Sequence, residues 1–263
     1  PPIVREMRLF LRDVLSVQQT NLASVPYIRE VTPADLEYGA SSVLENALKP
    51  EVVLDWSLDD APVRKIAAWV PVTTEIIDDA PTLQGYIDNR LAYMLAIREE
   101  QQILNGSGVA PQLQGILQYG DLQTQAFSST VVATVGQAIG KVENVDGEAD
   151  GIAMNPVDYW STVTTRHTTQ FDGDASGFGL PFSQTPNAFW GLPVIRSRAI
   201  ASNNAIVGSW RMGATLFDRM QTTVLVGNQH SDYFTNNKVA VLAEERVALA
   251  VHRPDFFVSC TLS

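Results

Sequence analysis

A mixed fold of helices and strands is the expectation for this chain of 263 residues, and three observations carry it. One long stretch has helical spacing, several short stretches alternate apolar and polar residues as strands do, and the chain closes on a long apolar run interrupted by charge. Hydrophobic residues make up 45% of the chain and charged ones 18%, enough for a sizeable core beneath a lean charged surface. Five Trp and 14 Pro argue against disorder and against a long coiled coil.

Residues 1–30 read as an arm with a short helix around residues 7–14. Its Arg5, Arg8 and Arg12, set against Glu6 and Asp13, suit a solvated amphipathic segment. Residues 51–72 read as a two-stranded hairpin. Leu54, Trp56 and Leu58 alternate with polar neighbours, Asp59–Asp60–Ala61–Pro62 supplies a turn, and Ile66, Ala68, Val70 and Val72 alternate again. Such a hairpin is barely stable alone, so another layer or another chain must support it. The spacing of Leu83, Ile87, Leu91 and Met94 predicts a helix over residues 81–104, with Pro81 in its first turn and Asn105–Gly106 as its stop. Between residues 115 and 230 short helices are expected at 130–142 and 157–165. Strands are expected ending at Met154, near Trp190–Val194, at 205–208 and at 221–227. The Gly- and Ser-rich stretch 171–183 reads as a loop.

Several chemistries are excluded or disfavoured. No apolar run reaches the roughly 20 residues of a membrane span. A net charge of −11 is the wrong sign for gripping a phosphate backbone. A single cysteine, Cys260, leaves no internal disulfide and reads as a buried small hydrophobe. His167, His230 and His252 lack ligand spacing, so no metal and no cofactor are expected. No phosphate-binding loop, dinucleotide fingerprint or nucleophile elbow is present. The acid pairs at 59–60, 78–79 and 99–100 read as a turn, a helix-dipole partner and an exposed helix face.

The run from Asn237 to Val251 is the most informative. Read as a strand, it puts Val239, Val241, Ala243, Val247, Leu249 and Val251 on one face, interrupted by Glu245. The other face carries Ala240, Leu242, Glu244, Arg246, Ala248 and Ala250. Asn237 and Glu244 point to opposite faces and lie roughly 23 Å apart at about 3.3 Å per residue, so they can act together only between chains.

Seven stretches in order then resemble one family. They are Leu11–Arg12–Asp13–Val14–Leu15 with Tyr27–Ile28–Arg29–Glu30, Ala47–Leu48–Lys49–Pro50–Glu51, Asp78–Asp79–Ala80–Pro81–Thr82–Leu83–Gln84 with Tyr86–Ile87–Asp88–Asn89–Arg90–Leu91, Leu104–Asn105–Gly106, Trp190–Gly191–Leu192–Pro193–Val194, Trp210 to Met220, and Glu244–Glu245–Arg246–Val247–Ala248–Leu249–Ala250 with Arg253–Pro254. This pattern resembles the major capsid proteins of tailed double-stranded DNA bacteriophages of the Hong Kong 97 type, over nearly the whole chain. The resemblance implies an α+β fold of the Hong Kong 97-like capsid type: an N-terminal arm (1–38), an extended β-hairpin loop (39–75), a peripheral domain of spine helix and long sheet (76–114 and 226–263) and an axial domain (115–225). It implies a structural protein, not an enzyme, that assembles as pentamers and hexamers into an icosahedral shell around packaged DNA in the virion. Its partners would be itself, a portal, a maturation protease or scaffold, and a decoration protein, with no membrane.

The resemblance also implies an intersubunit isopeptide crosslink between Lys49 and Asn237, assisted by Glu244. Asn236 is an alternative partner by a one-residue slip. Apolar surroundings for Glu244 are expected from Val239, Val241, Leu242 and Val247, and Lys238 places a charge beside the amide. Two other functions compete: an encapsulin-like nanocompartment shell, and a soluble carboxylate-dependent hydrolase.

Overall fold

The computed structural model describes residues 10–31, 42–49, 55–75, 81–169, 188–230 and 233–263. A 3-10 turn at Leu11–Asp13 leads into β1 (Ser16–Gln19), β2 (Ser24–Val31), β3 (Asp55–Pro62) and β4 (Arg64–Thr73). Helix α1 (Pro81–Asn105) precedes β5 (Gln123–Gln125), α2 (Val131–Glu143), β6 (Gly151–Met154) and α3 (Pro156–Thr169). Then come β7 (Ala188–Phe189), β8 (Leu192–Arg196), β9 (Asn204–Gly208), the single turn α4 (Trp210–Gly213), β10 (Ala214–Gly227), β11 (Lys238–Val251) and β12 (Phe257–Thr261). Among the described residues the strands form a four-stranded sheet ordered β1-β10-β11-β4, a six-stranded sheet ordered β5-β12-β9-β6-β8-β7, and the pair β2-β3. Helices and mixed sheets in separate layers make the class α+β.

Helix α1, roughly 37 Å long at about 1.5 Å per residue, lies along the four-stranded sheet. Its buried stripe is Leu91, Leu95, Glu99, Gln102 and Ile103, with Ile87 half-buried. Met94, expected on that stripe, is exposed, because the buried row advances by four residues and passes through Leu95 instead. The helix ends at Gly106, where a Cβ would stand 2.7 Å from the Gln102 carbonyl oxygen. The second core lies between α2 and the six-stranded sheet, from Val135, Ala138 and Val142 to Ile152, Val207 and Val258. Cys260 belongs to it, and burial pushes its thiol up to about 12, so it is the inert hydrophobe expected. The Gly- and Ser-rich stretch, His167's side chain, Arg5, Arg8 and Asp78–Asp79 lie outside the described residues.

The hairpin expected over 51–72 is corrected. β3 and β4 are both strands, but they do not pair with each other. β3 pairs antiparallel with β2, Tyr27 opposite Asp59 and Ile28 opposite Leu58, whereas β4 pairs with β11. The crossover is at Val63, whose N–H donates to the Ala23 carbonyl at 3.0 Å. The inner side of β2-β3, Val25, Tyr27 and Ala61, packs on Ala248 and Ala250 of β11, whose small side chains admit a second layer. Ile66, Ala68, Val70 and Val72 of β4 pack instead toward the α1 core. Only the β4 run buries its apolar face; Trp56 and Leu58 of β3 are exposed, and β3 packs inward through Ala61 instead. Asp59 and Asp60 sit inside β3, not in a turn.

The arm's charge is also corrected. Arg12 is not a solvated cation: its guanidinium forks onto two buried carboxylates. It meets Glu99 at 2.6 and 3.1 Å and Asp218 at 2.7 and 2.8 Å. Glu99 and Glu100, expected on an exposed helix face, are 3% and 2% exposed. Glu245, the acid that interrupts the apolar face of β11, points into the same region. One of its oxygens accepts a hydrogen bond from Thr222 Oγ1 at 2.9 Å, and Oε1 has no partner among the described residues. Thr222 reaches it because β10 bulges opposite Glu244–Arg246, with register shifts between Asp218 and Met220 and between Met220 and Thr223.

Burial first, and then the charge of Glu99, push the Glu245 carboxyl from the ordinary 4.5 up to about 7, against the opposing pull of Thr222 and Arg12. Between those values the folded chain holds a proton that the unfolded chain has released. Stability therefore falls as pH rises from 4.5 to about 7 and levels off above it. At about 1.4 kcal/mol per unit the loss is on the order of 3 kcal/mol. Glu99 is also pushed up by burial and adds in the same direction. Glu245→Gln should match the parent at low pH and exceed it at pH ~8 by this amount, read from denaturant midpoints of the unassembled chain. Parallel pH curves for the two chains would refute the assignment.

Candidate assembly and crosslinking site

Strand alternation divides β11 cleanly. Val241, Ala243, Glu245, Val247, Leu249 and Val251 face the α1 core, and Ala240, Leu242, Glu244 and Arg246 form the middle of the sheet's outer face. Neighbouring strands complete that face in rows. Trp69 of β4 lies opposite Leu242, which lies opposite Leu225 of β10; Ala67, Glu244 and Thr223 make the next row, and Lys65, Arg246 and Met220 the next. Trp69 and Leu225 are each about half exposed, at 51% and 52%. His230 and Tyr233 close around Trp69 with ring centroids 5.4 and 6.5 Å from it. The face therefore has an aromatic end and a charged end, and Glu244 sits where they meet.

Glu244 is held by two cations of its own chain. Lys65 Nζ stands 3.0 Å from Oε2, and the Arg246 guanidinium 3.8 Å from Oε1. The expected apolar setting is corrected. Val241 and Val247, and by alternation Val239, lie on the core side of the sheet, so of the four residues named only Leu242 shares Glu244's face.

Asn237 lies just before β11, in a turn, with φ +49°. Its carbonyl accepts hydrogen bonds from the Thr74 N–H and hydroxyl at 2.9 and 3.1 Å. Asn is one of the few residues that adopt the left-handed region readily, so this Asn has a local structural role as well. Because Asn237 precedes the strand, face parity does not apply to it; its separation from Glu244 along the ladder does. Lys238 begins the strand opposite Thr73. Asn236 and Asn237 are both exposed, as is Lys49 at the end of the irregular segment 42–49. Among the described residues no hydrogen bond or ion pair joins Lys49, Asn237 and Glu244, so the fold of one chain does not bring the three together.

The sequence reading missed Lys65 and Trp69. Both were legible as the polar-side positions of β4, alternating with Ile66, Ala68, Val70 and Val72, but their place beside Glu244 and Leu242 depends on a pairing that spans more than 170 residues. Arg12, Glu99 and Asp218 were missed for the same reason. His252 and His230 are accounted for by contacts: His252 Nε2 with Thr215 Oγ1 at 3.1 Å, and His230 against Trp69 and Tyr233. No group of three or more potential metal ligands occurs among the described residues.

Known proteins share this architecture. The chain is similar to the protein named "Major capsid protein" of Enterobacteria phage HK97, with 37% identity over 262 residues, 97% of this chain and 66% of that protein. The chain thus spans just under two thirds of that relative's length. Among solved structures, one from Microbacterium phage Oxtober96 matches with TM-score 0.73 and 14% identity, covering 98% of this chain and 93% of the other. A second, titled "Capsid of native GTA particle computed with C5 symmetry", matches with TM-score 0.72 and 18% identity, covering 100% and 95%. A third, from Mycobacterium phage Bobi, matches with TM-score 0.71 and 13% identity, covering 99% and 93%. These establish the fold as the Hong Kong 97-like one. The sequence match described as "Phage capsid family" runs over residues 3–261, and with it the outer sheet face, the spine helix and the two-stranded β2-β3 layer find their common explanation: the chain belongs to the phage capsid family.

Proposed function

We propose that this chain is the repeating unit of a closed icosahedral virion shell, built as pentamers and hexamers around packaged double-stranded DNA. We propose further that copies are stapled by Lys49–Asn237 isopeptide bonds with Glu244 assisting. The observation that carries the first part is the 37% identity to a major capsid protein across nearly all of this chain. The fold supports it: Ile28, Trp56 and Leu58 stand exposed on the outer side of β2-β3, and Trp69, Leu225 and Phe234 mark a second exposed apolar region. Apolar surface of this kind is what a subunit interface covers. A net charge of −11 keeps the inner wall from binding the packaged DNA tightly. The arm, extended loop, peripheral and axial divisions, and a portal, protease or scaffold and decoration protein as partners, belong to the same reading.

For the crosslink, the supporting observation is the separation of the three residues within one chain. Asn237 precedes the long strand and Glu244 lies well inside it, so one active site needs residues from different copies. The Lys49 amine attacks Cγ of a neighbour's Asn237, an N–C bond forms, the carboxamide C–N bond breaks and ammonia leaves. Glu244 takes the proton released by the amine and returns one to the leaving nitrogen. No oxidant or external energy source is required.

Sedimentation of purified assembled protein, followed by a denaturing gel of the sedimented fraction, tests both parts. The expected result is megadalton particles that dissolve into a ladder of linked subunits. A chain that sediments as a monomer under associating conditions overturns the shell. Particles that dissolve to a single monomer band overturn only the crosslink.

A further inference from the structure

Lys65 and Arg246 are register partners on β4 and β11. Like charges directly opposite one another on a sheet face repel, and here the only carboxylate between them among the described residues is Glu244, at 3.0 Å from one and 3.8 Å from the other. Two cations against one carboxylate leave this end of the outer face net positive. The other groups around it do not reverse that sign. Thr223 and Met220 of β10 are neutral, and Arg219 beside the bulge is a further exposed cation. His230 and Tyr233 cluster at the aromatic end around Trp69, Lys238 stands at the far end of β11, and Glu245 lies on the core side.

This inference rests on the crosslinking reading above and concerns how that site prepares its nucleophile. A lysine amine attacks only when neutral, and a lysine is brought toward neutrality by desolvation or by a neighbouring cation. We propose that Lys65, together with Arg246, is a positioning and charge-setting residue for the crosslink: it fixes the Glu244 carboxylate at the sheet surface and presents net positive charge to the Lys49 of a neighbouring copy, so that this amine arrives ready to give up its proton to Glu244. The half-exposed Trp69 and Leu225 lie next to the charged rows and exclude water as the neighbour docks. Before assembly Glu244 is occupied by its own chain's cations, so the isolated chain holds the base in place without a substrate. Lys65 itself does not become linked, because it is held at 3.0 Å by the Glu244 of its own chain.

The test is the pH profile of crosslinking in assembled particles of the parent, Lys65→Arg and Lys65→Met, followed by denaturing gel from pH ~5 to ~9. The expected result is a rising limb whose midpoint moves upward by about one pH unit in Lys65→Met, a roughly tenfold slower rate at any pH below it. Lys65→Arg keeps the parental midpoint. In parent particles, raising the salt concentration should move the midpoint in the same direction as Lys65→Met, because Lys65 is half exposed and its charge is screened. That arm stands even where a Lys65 variant does not assemble. Coincident midpoints for all three chains, a faster Lys65→Met, or a salt-independent parental midpoint overturn the proposal while leaving the crosslink itself intact. Absence of crosslinks in the parent at every pH overturns both, and is read separately from the same gels.

Discussion

Particles of the Lys49→Arg chain are expected to assemble normally and to dissolve into one monomer band, where the parent is expected to give a ladder. The effect is all-or-none because the guanidinium keeps its charge throughout the accessible pH range and offers no neutral nitrogen to attack an amide. Lys49 is exposed, and among the described residues its side chain makes no hydrogen bond or ion pair, so the replacement should leave the subunit unchanged. Asn237→Asp should have the same outcome, since a carboxylate gives no ammonia as leaving group. Asn236→Asp should retain the ladder; the reverse pair of results would move the acceptor by one residue. Glu244→Gln should slow linkage by about 10²–10⁴-fold without changing its final extent, the usual loss when a general base is removed.

The largest effect on stability is expected from Arg12→Ala. Its guanidinium makes five contacts of 2.6–3.1 Å with Glu99 and Asp218, whose side chains are only 4% and 3% exposed. Removing the cation leaves two carboxylates buried together beside Glu245, and breaking a buried pair in this way costs about 3–5 kcal/mol. Against a total of about 5–15 kcal/mol, that is enough to unfold a marginal chain near physiological temperature. The penalty should shrink toward acid pH, where Glu99, pushed up by burial, takes up a proton. Thermal unfolding of the parent and the variant at pH ~5 and ~8 reads both the loss and its pH dependence. A loss below about 1 kcal/mol would mean that Arg12 behaves as an ordinary surface cation.

Much of the fold was legible because it rests on local spacing. Helix α1, helix α2, the strand at 205–208 and the second half of β10 at 221–227 follow from apolar period and terminal residues, and the alternation of β11 placed Glu245 on the core face before its partners were known. What alternation does not encode is which strand lies next to which. Residues 51–72 show two strands but not that β3 returns to β2 and β4 to β11. The same gap hid the ionic cluster, where Arg12 meets residues 87 and 206 positions away. The stripe Leu91–Leu95–Glu99 did carry a signal: a carboxylate four residues beyond a buried leucine on a helix lies on the buried side. In the candidate site, Glu244 and Asn237 could be placed on and before a strand from sequence alone, whereas Lys65 became visible only with the register of β4 on β11.

The most direct measurement is a side-chain-resolution electron cryomicroscopy reconstruction of the assembled particle. It should show the 42–49 segment of one copy lying against the outer face of the four-stranded sheet of another, with continuous density from Lys49 to Asn237 across two chains and a Glu244 carboxylate beside the junction. An assembled shell in which the Trp69–Leu242–Leu225 row and Glu244 face open solvent, untouched by any neighbour, would contradict the account.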